Sequence, residues 1–146
     1  MQLTLQSDYT LRVLIYISYH QEKIVTIDQI ADFYEISAHH LTRIIHKLGE
    51  LGYITTIRGK GGGFLLAKKP SEINIGELIE KIESHFHIVE CFDPSKKSCK
   101  ILGACFLRPL LAEATQKFIE TLKQKTLADL VTNNNKLKSI ITKSQV

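Results

Sequence analysis

Three cysteines fall within fifteen residues, spaced Cys91-x7-Cys99-x5-Cys105, and the chain has no others. An odd, tightly grouped set argues against a disulfide framework and for metal binding or reactive thiols. The spacing lacks the C-x2-C pairs of a zinc ribbon. It also lacks a C-x-x-C redox motif, and no Cys/His pair has a recognisable nucleophile setting, which speaks against a thiol oxidoreductase. Three buried apolar thiols are the plain alternative. Against it, Asp93-Pro94-Ser95-Lys96-Lys97-Ser98 between the first two cysteines is polar and reads as a loop. Lys96, Lys97 and Lys100 supply positive charge that offsets a thiolate site. Thiolates are soft ligands and select zinc, copper(I) or iron–sulfur clusters. A fourth ligand has to come from elsewhere. His85 and His87 are near in sequence, and Asp8 is another candidate. An acid in the first turn of a helix also has a simpler role, as a partner of the helix dipole.

A second set of residues is basic. The net charge is +4 and the pI is near 8.9. Ile36 to Lys69 holds six bases (Arg43, Lys47, Arg58, Lys60, Lys68, Lys69) and one acid, Glu50. Basic charge concentrated on one structural unit is the footprint of a polyanion binder. Within that stretch Ser37, His39, His40, Thr42 and Arg43 fall on the opening turns of one helix, where side chains reach base edges in a major groove. Lys47 lies further along and suits a phosphate. Arg58 and Lys60 sit among four glycines, where the backbone can approach DNA closely. These glycines spell neither a phosphate loop nor a dinucleotide fingerprint.

The elements that position these residues follow from periodicity. Leu11, Leu14, Ile15 and Ile17 predict a helix over Ser7 to His20, capped by Ser7 or Gln6. Thr26 with Gln29 forms a capping box for a second helix ending near Tyr34. After a short turn, Ser37 caps a third helix to about Leu51, with Leu41, Ile44, Ile45, Leu48 and Leu51 on its inner face and His39, His40, Arg43, His46 and Lys47 outside. Tyr53–Ile57 and Phe64–Ala67 predict a hairpin around Arg58–Gly63. Asn74 with Glu77 opens a fourth helix to about Glu83. Residues 84–104 show no period. Pro109 fits the first turn of a long helix over about Leu107 to Lys125, with the stripe Leu107, Leu111, Ala114, Phe118 and Leu122. Thr126–Asp129 caps a short helix, and Asn133–Asn135 begins a polar, basic tail. The order predicts a mainly α protein: a winged helix-turn-helix DNA-binding domain with a long C-terminal dimerisation helix. A homodimer on a palindrome places its two recognition helices about 34 Å apart.

The chain has 146 residues, 44% of them hydrophobic, enough for a real core. No apolar run approaches the roughly 18 residues of a membrane span. The N-terminus lacks a signal peptide's charged and apolar regions. A cytoplasmic protein with no membrane partner is expected.

Several motifs together resemble the Rrf-two family of winged-helix transcription regulators, and within it the repressors that sense nitric oxide. They are Met1-Gln2-Leu3-Thr4, Asp8-Tyr9-x-Leu11-Arg12, the wing Arg58-Gly59-Lys60-Gly61-Gly62-Gly63, Ile75-Gly76-Glu77, the three cysteines and Thr126-Leu127-Ala128-Asp129-Leu130. The resemblance implies an iron–sulfur cluster of 4Fe-4S type, held by Cys91, Cys99 and Cys105. It makes the partner subunit's Asp8 the fourth ligand and Arg12 a hydrogen-bonding support for it. It also implies that the protein is not an enzyme, and that it releases its DNA operator when nitric oxide nitrosylates the cluster. An iron–sulfur-biogenesis branch of the family has a histidine three residues after its last cysteine; here Arg108 stands there. The expected organisation is a winged-helix domain over 1–83, a cluster-binding loop over 84–104, and a dimerisation helix with C-terminal tail over 105–146. A zinc site or bare redox thiols serving iron–sulfur or redox homeostasis is the competing reading of the cysteines. A purely architectural DNA binder needs none of them.

Overall fold

A computed structural model describes residues 2–20, 23–96 and 99–143. The chain opens with α1 (Leu5–Ser18), α2 (Ile27–Tyr34) and α3 (Ala38–Glu50). A hairpin of β1 (Ile54–Ile57) and β2 (Gly63–Leu66) follows, then α4 (Ile75–Ile82). Beyond an irregular stretch come α5 (Leu107–Lys123), α6 (Leu127–Val131) and α7 (Asn135–Lys143). This is the mainly helical, winged helix-turn-helix order expected. Among the described residues no helix is long and apolar enough to cross a membrane.

Helix starts show how local chemistry sets the elements. Thr26 and Gln29 make both bonds of their capping box, satisfying two amides at the start of α2. Asn74 caps α4 by accepting from the Glu77 amide. Two expectations are corrected. α1 begins earlier than Ser7, because Thr4 is its cap and accepts from the Ser7 amide at 3.3 Å. Ser7 itself is fully buried. Ser37 holds the position before α3, but its side chain caps nothing and stays exposed.

β1 and β2 pair antiparallel from Ile54↔Leu66 to Ile57↔Gly63. Val25 adds an isolated bridge to Phe64. Val13, Leu14, Tyr16, Ile17, Ile30, Leu41, Leu48 and Leu78 form one core, and Leu127, Val131 and Ile141 from the C-terminal helices belong to it. The tail expected after Asn133 is therefore a helix. Leu137, Ile140 and Ile141 lie three and four apart, and Ile141 is fully buried. Burying one such side chain contributes roughly 1.5–3 kcal/mol. The stripe expected on α5 is only partly covered: Leu111, Phe118 and Leu122 are half-buried, but Ala114 is exposed and Leu107 is 58% exposed. Beside it Ile119 is buried, while Phe106 and Leu110 are 91% and 61% exposed.

α4 packs against α5, and Gly76 permits the approach. A Cβ there would stand 2.6 Å from the Lys123 backbone nitrogen and 2.9 Å from its Cα. Backbone cannot rotate out of the way as a side chain can. Gly76→Ala is expected to cost about 1–3 kcal/mol, the usual range for overpacking, as a lowered urea midpoint. An unchanged midpoint refutes the close packing.

An aromatic group ties α2 to α1. Tyr34 stacks edge-on against Phe33 and Tyr16, and its hydroxyl donates to the Arg12 carbonyl at 3.2 Å. Burial pushes its pKa up to about 12, although the Arg12 charge pulls the other way. A raised phenol pKa stabilises the fold fully below the unfolded value near 10, and that contribution is lost as pH rises through about 12. Alkaline unfolding should therefore be less steep over that window in Tyr34→Phe. Identical profiles count against the buried, neutral phenol.

Candidate nucleic-acid interface and sensor residues

α3 divides cleanly. Leu41, Ile44, Ile45 and Leu48 face the core, while Ser37, His39, His40, Thr42 and Arg43 are exposed and Lys47 is partly so. Thr42 Oγ1 donates to the Ala38 carbonyl at 2.8 Å, leaving its lone pairs and methyl group to a ligand. Arg43 makes no ion pair among the described residues. Glu50 turns to His46, with 3.5 Å between carboxylate and imidazole. A basic, imidazole-bearing face thus lies on a helix firmly seated by its other side.

Backbone geometry holds Arg58 and Lys60 out at the hairpin tip. Gly59 and Gly61 have φ of 100° and 77°, where a Cβ is strained. Gly62 donates to the Gly59 carbonyl at 3.0 Å, and a Cβ on Gly62 would collide with that same oxygen. Lys68, counted in the basic stretch, sits at the base of the hairpin with its ammonium 4.9 Å from the Tyr53 ring centre. Lys81 also approaches that ring and donates to the Tyr53 hydroxyl at 3.3 Å.

Asp8 and Arg12 are one helical turn apart on α1 and bond in two places. Arg12 Nε donates to Asp8 Oδ1 at 3.1 Å, and a terminal guanidinium nitrogen lies 2.8 Å from Oδ2. The hydrogen bond that Arg12 donates to Asp8 holds the Arg12 pKa above its ordinary value. Both side chains are nearly half exposed, so the pair contributes only about 0.3–0.5 kcal/mol to folding. The surroundings of Arg12 are more telling. Its guanidinium lies 5.7 Å from the Tyr9 ring centre and 5.8 Å from that of Tyr34. Tyr9 in turn lies 6.4 Å from the ring of His40, at the start of α3. A continuous set of contacts runs from Asp8 to the exposed face of α3. Tyr9 belongs to the Asp8–Arg12 motif, but sequence spacing alone does not reveal its contact with His40.

All three cysteines are free thiols. Cys91 and Cys105 are half-buried and Cys99 is exposed, which removes the alternative of three buried apolar thiols. Cys91 lies in a short 3-10 turn, Glu90–Phe92, and Cys105 follows another, Leu102–Ala104. Among the described residues no three of His, Cys, Asp and Glu are gathered to hold a metal ion. Within one chain the expected ligand set is thus not assembled. The donor chemistry nonetheless suits an iron–sulfur group: three unpaired thiols, none locked in a core, on one loop. His85 and His87 stack on each other, ring centres 4.4 Å apart. Lys96 pairs with Glu90 at 3.3 Å, Lys100 is exposed, and Lys97 lies outside the described residues.

Sequence reasoning missed Glu83. Its carboxylate accepts from both the amide and the hydroxyl of Thr4, at 2.8 and 3.0 Å. Burial alone raises the pKa of this carboxyl. The nearby Ser7 hydroxyl, which stops short of a full hydrogen bond, and the two Thr4 donors outweigh burial and hold it below the usual range. The partners are 79 positions apart, so no local pattern signals the contact.

Comparison with known proteins agrees with this arrangement. Residues 3–133 match the Rrf2 (Rrf-two) family, described as iron-dependent transcriptional regulators. The HTH-type transcriptional regulator NsrR of Bacillus subtilis is 44% identical over 142 residues, covering 97% of both chains. That of Shouchella clausii is 43% identical, covering 97% of this chain and 95% of its own. Among solved structures, CymR, the global cysteine regulator of B. subtilis, superposes with a TM-score of 0.70 at 24% identity, covering 90% of this chain and 97% of its own; this likeness concerns the fold. The chain belongs to the Rrf2 family of transcriptional regulators.

Proposed function

We propose that this protein is a sequence-specific DNA-binding repressor that senses nitric oxide through an iron–sulfur cluster with four irons and four sulfides (4Fe-4S), and releases its operator when the cluster reacts. The observation that carries the reading is the run of contacts from Asp8 through Arg12 and Tyr9 to His40 on α3. A ligand that engages Asp8 acts on a neighbour of the DNA-reading helix.

Each part of the chain has a role in this reading. Residues 1–83 bind a palindromic operator, residues 84–104 together with Cys105 at the head of the last segment hold the cluster, and residues 105–146 pair two subunits. The homodimer draws support from the apolar side chains left open at the start of α5, Phe106 just before it and Leu107 and Leu110 on it. Ser37, His39, His40, Thr42 and Arg43 meet base edges or nearby sugars, and Lys47, Arg58 and Lys60 grip phosphates or the minor groove. Cys91, Cys99 and Cys105 would hold the cluster, with the partner subunit's Asp8 as an oxygen ligand. When bound, the cluster supplies iron that reacts with nitric oxide.

The remaining steps belong to the protein. Engaging Asp8 draws its carboxylate away from Arg12, whose guanidinium then leans on Tyr9 and Tyr34. Tyr9 transmits that change to His40 and so to the seat of α3. A coupling of about 1–3 kcal/mol changes operator affinity by roughly 5–150-fold, enough for a switch. Exposed Cys99 favours one competing reading, a bare thiol sensor. An anaerobic absorption spectrum separates the two, since only an iron–sulfur protein is coloured.

Two outcomes are expected. Arg43→Ala should cost about 1–3 kcal/mol at the operator and relax its specificity, whereas Lys60→Ala should weaken binding to all sequences alike and lower the salt slope by about 1. Equal effects of the two on specificity count against the assigned roles. Cys99→Ala, purified without oxygen, should lose the visible absorption and its operator binding should no longer respond to nitric oxide. Tight binding that nitric oxide still abolishes in this variant sinks the cluster mechanism.

A further inference from the structure

The start of α1 is capped differently from the starts of α2 and α6. In those two helices the third helical residue reaches back to the cap: Gln29 accepts from the Thr26 amide at 2.9 Å, and Asp129 from the Thr126 amide at 2.7 Å. The equivalent residue of α1 is Ser7, whose short side chain forms no hydrogen bond among the described residues. The missing acceptor comes from another element. Glu83, at the C-terminal end of α4, accepts from the Thr4 amide at 2.8 Å and the Thr4 hydroxyl at 3.0 Å. That hydroxyl also accepts from the Ser7 amide, so one side chain joins α4 to the first turn of α1. This is a capping box completed across the fold.

The Tyr34 hydroxyl holds α1 at the Arg12 carbonyl, one turn beyond Asp8, but the buried hydroxyls nearest Asp8 supply no comparable lock. The Ser7 and Thr10 hydroxyls are fully buried and neither forms a hydrogen bond among the described residues. Apolar contacts hold the helix in the core, but they are not directional. Directional control of the first turn therefore comes from Glu83. Asp8 is in that turn. A slip of α1 by one residue swings Asp8 by about 100° and moves it about 1.5 Å along the axis. Glu83 also stands at the root of the segment that carries Cys91, eight positions ahead of it. The roots of the two proposed ligand-bearing segments are thus tied together within one chain.

We infer that Glu83 is a positioning residue of the sensor, which fixes the first turn of α1 and so aims the Asp8 carboxylate. The inference rests on the reading of Asp8 as a ligand. Residues that orient a metal ligand typically change metal affinity by 10–100-fold when removed.

The test compares wild type, Glu83→Ala, Glu83→Gln, Asp8→Ala and the Glu83→Ala/Asp8→Ala double variant, all as full chains. Hydrogen exchange on the metal-free proteins reads the tie directly. The amides of Thr4, Ser7 and Asp8 should exchange about 10-fold faster in Glu83→Ala, with the core amides of α3 unchanged, and Glu83→Gln, which keeps an acceptor oxygen, should fall between. On reconstituted protein, loss of cluster absorption to a chelator should be about 10-fold faster in Glu83→Ala than in wild type. In the Asp8→Ala background the Glu83 change should add nothing, because it acts through Asp8. Unchanged exchange in α1, or a Glu83→Ala effect that persists in full without Asp8, overturns the assignment of Glu83 while leaving the sensor standing. A wild-type chain that takes up no cluster overturns the sensor itself, and the assignment with it.

Discussion

Two backbone hydrogen bonds join the two halves of the molecule. The Leu127 amide donates to the Ile73 carbonyl at 2.8 Å, and the Ile75 amide donates to the Lys125 carbonyl at 2.9 Å. They bracket Asn74 and Thr126, which face each other as an isolated bridge, and the Asn74 side chain reinforces the pairing by donating to the Lys123 carbonyl at 2.7 Å. The junction sets α4 beside α5, and Gly76 sets how close they come. It also delivers Leu127, Val131 and Ile141 into the core that seats α1 and α3. Between Glu83 and Leu107 the described residues form irregular chain and two short 3-10 turns, and this packing holds both ends, so the cysteines start from anchored roots rather than a free tail.

α1 serves both the core and the proposed sensor. Its buried side, Val13, Leu14, Tyr16 and Ile17, is part of the core under α3. Its other side carries Asp8 and Arg12. The ion pair between them is worth tenths of a kcal/mol, less than the coupling a switch needs. What matters is the position of Arg12 between two tyrosines, one reaching α3 and one ending α2. A weak surface bond next to a packed aromatic group can be exchanged for another ligand at little cost to the fold.

Much of this was legible in the sequence, for a physical reason. Thr26–Gln29, Asn74 and the wing glycines act over three or four residues, and such local chemistry is written directly in the chain. The apolar face of α3 follows from its period. Thr4 was missed because its cap is completed by Glu83, far away in sequence. α7 was missed because its polar surface masks a short apolar stripe ending in Ile141. The exposed residues of α3 and the wing were placed on open surface as expected. The cysteines were placed together on one loop, but their gathering around a common centre depends on folding of that loop, and on a second subunit in the reading proposed here.

The place of Ile141 in the core has a consequence for biosynthesis. A ribosome makes α1, α2 and α3 before α6 and α7, so the core beneath them lacks Leu127, Val131 and Ile141 until those later helices follow. Contacts this distant in sequence close slowly and late. The exposed basic face of α3 therefore gains its full support only after the cysteine-bearing segment has been made, so a newly made chain carries that segment before α3 is fully seated.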